Sequence, residues 1–156
     1  MPGGREEKCV IRPAVRQDLR RILAIERSSF GPEAWDRALF EEFLASSPDV
    51  FIVAEARGKL LGYLIAIDGG SRVELASIAT APRERRSGIG RALMIHALRS
   101  LRRRRIKEWW LMVRTTNDAA IRFYRTFGFR RIRRVKRYYE DGADAWRMRL
   151  VMDQAK

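Results

Sequence analysis

The stretch Ile78-Ala79-Thr80-Ala81-Pro82-Arg83-Glu84-Arg85-Arg86-Ser87-Gly88-Ile89-Gly90-Arg91-Ala92 joins a β-prone run to the start of a long helix. Val73 to Thr80 predicts a strand that stops near Pro82. Leu93, Ala97 and Leu101 share one helical face, predicting a helix from about Ile89 to Arg105. Between them, Gly88 and Gly90 lack Cβ, so the backbone can turn tightly and approach a ligand closely. Amides at a helix N-terminus are free donors at the positive end of the dipole, suited to a pyrophosphate. Arg85, Arg86 and Arg91 add charge. Taken alone, Gly-x-Gly before a helix also describes a plain turn. The full dinucleotide fingerprint G-x-G-x-x-G is missing, and no Gly-Lys-Ser/Thr follows as in a P-loop.

Outward from this loop the elements alternate. Cys9 to Arg12 predicts a strand ended by Pro13. Leu19, Ile22, Leu23 and Phe30 predict a helix starting near Asp18 and broken by Gly31-Pro32. Trp35, Leu39, Phe40, Phe43 and Leu44 mark a second helix, ending before Ser46-Ser47-Pro48. Val50–Ala54 and Leu60–Ala66 form a hairpin about Arg57-Gly58-Lys59, and Gly69-Gly70-Ser71 turns into the strand before the loop. Beyond the long helix, Trp109 to Val113 reads as a buried strand. Ala120, Phe123, Tyr124 and Phe127 then mark an amphipathic helix closed by Gly128. Final strands at about Phe129–Tyr138 and Ala145–Val151 surround Asp141-Gly142. The order β-α-α-β-β-β-α-β-α-β-β predicts a mixed α/β fold in one domain over 1–156, its core at about 9–152.

Composition narrows the function. The single Cys9 permits no internal disulfide and fits a cytoplasmic location; with only His96 beside it, a metal site is not expected. No apolar run is long enough for a membrane span, and residues 1–6 lack the apolar stretch of a secretory signal. The net charge of +14 is one-sided. Residues 1–78 hold 11 basic and 12 acidic side chains, whereas residues 79–156 hold 22 and 7. The second half therefore suits an anionic partner: phosphates, RNA such as the ribosome's, or an acidic protein.

Three motifs taken together carry a resemblance. Ile78 to Pro82, then Arg85-x-x-Gly88-x-Gly90, then Asn117-Asp118-Ala119-Ala120-Ile121-x-x-Tyr124-x-x-x-Gly128-Phe129, resemble the GNAT superfamily of acetyl-CoA-dependent N-acetyltransferases. Leu111 to Asn117 and the closing segment Tyr138 to Met148 are similar to its protein N-terminal acetyltransferases, of the ribosomal-protein alanine (RimI) and NatA catalytic-subunit types. The resemblance runs from about Val10 to Met152. It implies that the backbone of Ile78, Ala79 and Thr80 pairs with the pantetheine arm, and that amides from Arg86 through Ser87, Gly88, Ile89 and Gly90 to Arg91 hold the pyrophosphate. It also implies that Asn117 bonds the cofactor arm and that Tyr124 faces the sulfur. Tyr138 and Tyr139 would line the acceptor groove opposite the turn Phe30-Gly31-Pro32-Glu33. One departure is Met112, where related enzymes often place a proton-accepting Glu or His; methionine cannot serve.

Direct transfer needs a neutral amine, a donor for the developing oxyanion and a proton for the departing thiolate. An α-amino group, with a pKa of about 7.7–8.0, is usefully neutral near pH 7. Glu74 is the first candidate for a replacement base, or else a strand carboxylate paired with an arginine; Glu33 is the second, or else an ordinary helix-start acid. Tyr124 offers a phenol to the thiolate, though its periodicity also suits the core, and Asn117 also suits a helix cap. The leading reading is acetyl transfer to a protein or peptide N-terminus. An RNA- or ribosome-binding module on the same fold, or an enzyme acting on a small polyamine or antibiotic amine, are the alternatives. The last of these predicts an acidic acceptor pocket.

Overall fold

Seven strands form one mixed sheet in the order β1-β2-β3-β4-β5-β7-β6, seen in a computed structural model that describes residues 9–46, 50–68 and 72–152. The strands are β1 (Val10–Pro13), β2 (Val50–Ala56), β3 (Lys59–Asp68), β4 (Arg72–Thr80), β5 (Glu108–Arg114), β6 (Arg130–Val135) and β7 (Ala145–Val151). The helices are α1 (Leu19–Phe30), α2 (Arg37–Ala45), α3 (Ile89–Arg103) and α4 (Asp118–Arg125). The element order is the one read from the sequence, and the sheet is mixed: β4 and β5 run parallel, whereas β1–β2, β2–β3, β5–β7 and β6–β7 are antiparallel. The turn at Gly69-Gly70-Ser71 and the Ser47-Pro48 helix stop lie outside the described residues.

Contacts divide the chain into two compact units, Met1–Ala66 with Ser77–Ser100, and Ile67–Ala76 with Leu101–Lys156. In the first, Leu19, Ile22, Phe40, Val53, Leu64, Leu93 and Met94 are fully or nearly fully buried. The β2–β3 connection is the two residues Arg57 and Gly58, both at positive φ (51° and 73°), the twist that suits a two-residue hairpin. Trp35, placed on the α2 stripe by periodicity, lies just before that helix, because Asp36 caps it by accepting the Leu39 amide at 3.0 Å.

In the second unit, Trp109, Leu111, Phe129 and Met148 make the core. The expectation that Trp109–Val113 is buried throughout needs correction. Burial alternates along β5: Trp109, Leu111 and Val113 face the core, while Trp110, Met112 and Arg114 lie on the other, half-exposed face. The last strand pair is also shorter than expected, since β6 ends at Val135. Helix α3 stops at Arg103, two residues early. Arg105 takes the left-handed conformation (φ 59°), and the Ile106 amide donates back to the Leu101 carbonyl at 3.1 Å, closing the helix with a Schellman turn.

One close approach fixes where α3 starts. A Cβ on Gly62 in β3 would lie 2.9 Å from the Ala79 carbonyl oxygen, and 3.1 and 3.2 Å from Ile89 and Leu93 on the first turns of α3. Hydrogen at this position lets the helix settle onto β3 and β4. Gly62→Ala should therefore cost about 1–3 kcal/mol, as overpacking does. Urea unfolding of the variant checks this, and an unchanged midpoint would show that the contact can relax freely.

Candidate active site

The first unit holds the anion-binding loop. After β4, the Ala81 amide donates to the Leu61 carbonyl at 2.8 Å, tying the strand end to β3. A short turn, Pro82–Glu84, follows, and the Ser87 hydroxyl bonds the Glu84 carbonyl. Arg86 (φ 68°) and Gly88 (φ 88°) are both left-handed, which curls the backbone into the helix entrance. The first helical hydrogen bond runs from the Ala92 amide to the Gly88 carbonyl at 3.0 Å. The amides of Ile89 and Gly90 thus come before it, at the positive end of the dipole. Arg85, Arg86, Ser87, Gly88 and Arg91 are exposed around this entrance, whereas Ile89 is buried beneath it. Along β4, Ala79 is buried and Ile78 and Thr80 are half-exposed. An exposed cradle of helix-start amides rimmed by arginines fits a pyrophosphate.

The same unit holds the turn Phe30-Gly31-Pro32-Glu33. Gly31 caps α1, and the Ala34 amide bonds the Gly31 carbonyl at 3.0 Å, which leaves Phe30, Pro32 and Glu33 exposed. Behind it lies a residue that the sequence reading passed over, Glu26. Its side chain is buried, with 2% exposure. One carboxylate oxygen accepts the Trp35 amide at 2.9 Å, just past the turn, and the other accepts the Tyr63 hydroxyl. That hydroxyl in turn lies 3.2 Å from Ser77 Oγ on β4. Burial raises the Glu26 carboxyl above its usual range, only partly offset by these hydrogen bonds, and burial with the adjoining carboxylate also pushes the Tyr63 phenol up. An acidic residue on an otherwise apolar helix face was the available signal.

The second unit holds the remaining candidates. Asn117 caps α4 by accepting the Ala120 amide at 3.2 Å, the structural role that its sequence context allowed. Tyr124, on α4, packs edge-on against Phe123 and Phe129 with ring centroids 5.5 and 5.9 Å away. Burial holds its phenol protonated well above the usual range, and the nearby Tyr139 phenol adds to the shift. Tyr138 and Tyr139 stack edge to face at 4.9 Å, with Tyr138 51% exposed. Their loop is held by groups not singled out in the sequence. Arg114 lies 4.2 Å over the Tyr139 ring and pairs with Asp141 at 2.9 Å. Asp144 accepts the Arg137 amide at 2.9 Å and Arg134 Nε at 2.8 Å. Asp141 also accepts the Ala143 amide at 3.0 Å, and these bonds keep both aspartates below the usual carboxylate range, led by the Ala143 amide at Asp141 and the Arg137 amide at Asp144.

Glu74 sits beside Met112's face of the sheet, where Arg147 grips both carboxylate oxygens, at 2.9 Å for Nη1 to Oε2, and Arg72 approaches at 3.5 Å. The arginine-paired strand carboxylate, one of the two readings of this residue, describes this arrangement.

Residues 16–129 match the Acetyltransferase (GNAT) family, a span that enters both units. The chain belongs to this family. It is similar to an N-alpha-acetyltransferase of Sulfolobus acidocaldarius, at 32% identity over 151 residues, 88% of this chain and 89% of that one. It is 35% identical over 153 residues to N-alpha-acetyltransferase RimI of Mycobacterium tuberculosis, covering 92% of each. The structure of Ard1 from Thermoplasma volcanium superposes with a TM-score of 0.88 at 29% identity, over 93% of this chain and 98% of that one. As a GNAT acetyltransferase the chain is an enzyme, and its mixed sheet is the GNAT fold.

The buried Glu26 of this acetyltransferase makes a testable contribution. A carboxyl raised in the folded state favours folding while it is protonated, and that contribution is lost as pH climbs above the unfolded value of about 4.3. Glu26→Gln should therefore gain stability relative to the parent between about pH 4 and pH 8. Urea midpoints at the two pH values read this directly; a constant difference would show that Glu26 titrates normally.

Proposed function

We propose that this GNAT enzyme transfers acetyl from acetyl-CoA directly to the α-amino group of a protein or peptide N-terminus, within one catalytic domain. The anion cradle at the start of α3 carries the reading, together with relatives named N-alpha-acetyltransferase over most of their length. Bound acetyl-CoA supplies an activated acyl carbonyl. The amides at the entrance to α3, with Arg85, Arg86 and Arg91, hold its pyrophosphate. The backbone of Ile78 to Thr80 accepts the pantetheine arm as an added strand. Asn117 keeps its side-chain amide for the same arm while its oxygen caps α4.

Tyr124 is the proton donor to the departing thiolate. A phenol is protonated throughout the neutral range, and the shift at Tyr124 is upward, so it has a proton to give. Glu33, exposed on its turn, takes the role of receiving the ammonium proton. Glu74, committed to Arg147, serves to orient that arginine rather than to act as base. The acceptor's low intrinsic pKa reduces the demand on any base, which makes Met112 tolerable for an N-terminal substrate. Phe30 and Pro32, exposed on their turn, are proposed contacts for the acceptor, and so, on their own loop, are Tyr138 and Tyr139. A polyamine or antibiotic amine would want an acidic pocket, whereas the cavity at Met112 is lined by Arg72, Arg133 and Arg147.

A second reading, an RNA- or ribosome-binding module, draws on β6, an edge strand whose Arg130, Arg131, Arg133 and Arg134 are all exposed. Binding through phosphates weakens steeply with salt, so a flat salt dependence removes it.

Calorimetry with acetyl-CoA and mass readout of peptide acetylation test the enzyme. Gly88→Glu, which forces a side chain into a left-handed position and brings a carboxylate to the cradle, should abolish measurable acetyl-CoA binding. Tyr124→Phe should retain binding but lower kcat by about 10²-fold. Parent-like kcat in Tyr124→Phe would withdraw the donor role, and unaltered binding in Gly88→Glu would withdraw the cradle.

A further inference from the structure

We propose that the acceptor site selects N-termini carrying an acidic side chain within their first few residues. This rests on the N-terminal acetyltransferase reading above. The half-exposed face of β5 opens on a cavity of about 380 Å³, bounded by Trp110 and Met112 of β5, Tyr138 of the double-tyrosine loop, and Arg72, Arg133 and Arg147. Three guanidinium groups thus meet at one cavity, and Glu74 is the carboxylate paired with two of them, Arg147 and Arg72. The excess is positive.

The third arginine makes the site unusual. Arg133 stands directly opposite Arg147 in the antiparallel β6–β7 register. Like charges on facing residues destabilise a strand pair. Arg133 is exposed and is paired with no carboxylate among the described residues. A carboxylate arriving in the cavity would relieve that repulsion, and guanidinium groups bind carboxylates through paired hydrogen bonds.

The site is also stiffened for this use. Arg147 has a side chain only 12% exposed, forked by Glu74 and stacked 4.5 Å from the centre of the Trp110 ring. Arg72 and Arg149 approach the same ring at 5.1 and 5.3 Å. Tyr138 stands at the rim as the link to the acceptor path. A cavity of this size with apolar walls suits one or two side chains, not a polynucleotide backbone, which favours a peptide carboxylate over an RNA phosphate.

Matched peptides that begin with Ala and continue with Glu, Gln or Lys at the second and third places test this with the full chain and acetyl-CoA. A charge-assisted pair implies kcat/KM about 10-fold or more higher for the Glu peptide than for the Lys peptide. Arg133→Glu, on an exposed edge strand, should reverse the order, and Arg133→Gln should flatten it. Equal rates for the three peptides, or a preference for Lys, would overturn the proposal while leaving the acetyltransferase reading intact. If none is acetylated, the N-terminal acceptor reading fails, and binding of the same peptides, followed by tryptophan fluorescence, still decides the pocket. Arg133-dependent binding of the Glu peptide supports it. Binding of a single-stranded RNA oligonucleotide in place of the Glu peptide refutes it.

Discussion

The close approach of α3 to β3 at Gly62 is the constraint on which the proposed cofactor end depends. With only a hydrogen at Gly62, the Ala79 carbonyl and the side chains of Ile89 and Leu93 converge on one point. The strand end, the curl through Arg86 and Gly88, and the first turn of the helix are thereby fixed as one piece. A helix dipole is useful to an anion only if the free amides face outward and hold still. Packing at Gly62 supplies the second condition, and the left-handed residues supply the first.

A second brace works beneath the proposed acceptor turn of the same unit. Glu26 ties α1 to the residue just after the Phe30–Glu33 turn through the Trp35 amide, and to β3 and β4 through Tyr63 and Ser77. Burying a carboxylate without a cation is unfavourable, and the raised Glu26 carboxyl reflects that cost. What the arrangement provides is a turn whose tip is exposed while its base is held by three elements.

The second unit shows how a sheet face can be specialised by charge. On β5 one face packs Trp109, Leu111 and Val113 into the core, and the other presents Trp110 and Met112 to the arginines of β4, β6 and β7. Met112 takes the place where a base is expected, yet the surrounding groups are cationic rather than merely apolar. The proposed chemistry accordingly leans on the amine's own acidity, on Glu33 and on Tyr124, and the proposed role of the arginines is to select the acceptor.

The order of elements, the helix entrance at Gly88 to Arg91, the amphipathic α4 and the capping Asn117 were legible in the chain alone. Each is written in neighbours three or four residues apart on a helix, two apart on a strand, or adjacent in a turn. The pairing of Glu74 with Arg147, of Glu26 with Tyr63 and of Arg133 with Arg147 was not legible. These partners lie far apart in sequence, and β7 inserts between β5 and β6 rather than following chain order. Strand register decides which side chains share a face, and a slip of one residue would exchange the faces. Local pattern thus determined what this protein is built from, whereas the folded sheet decided which charges meet.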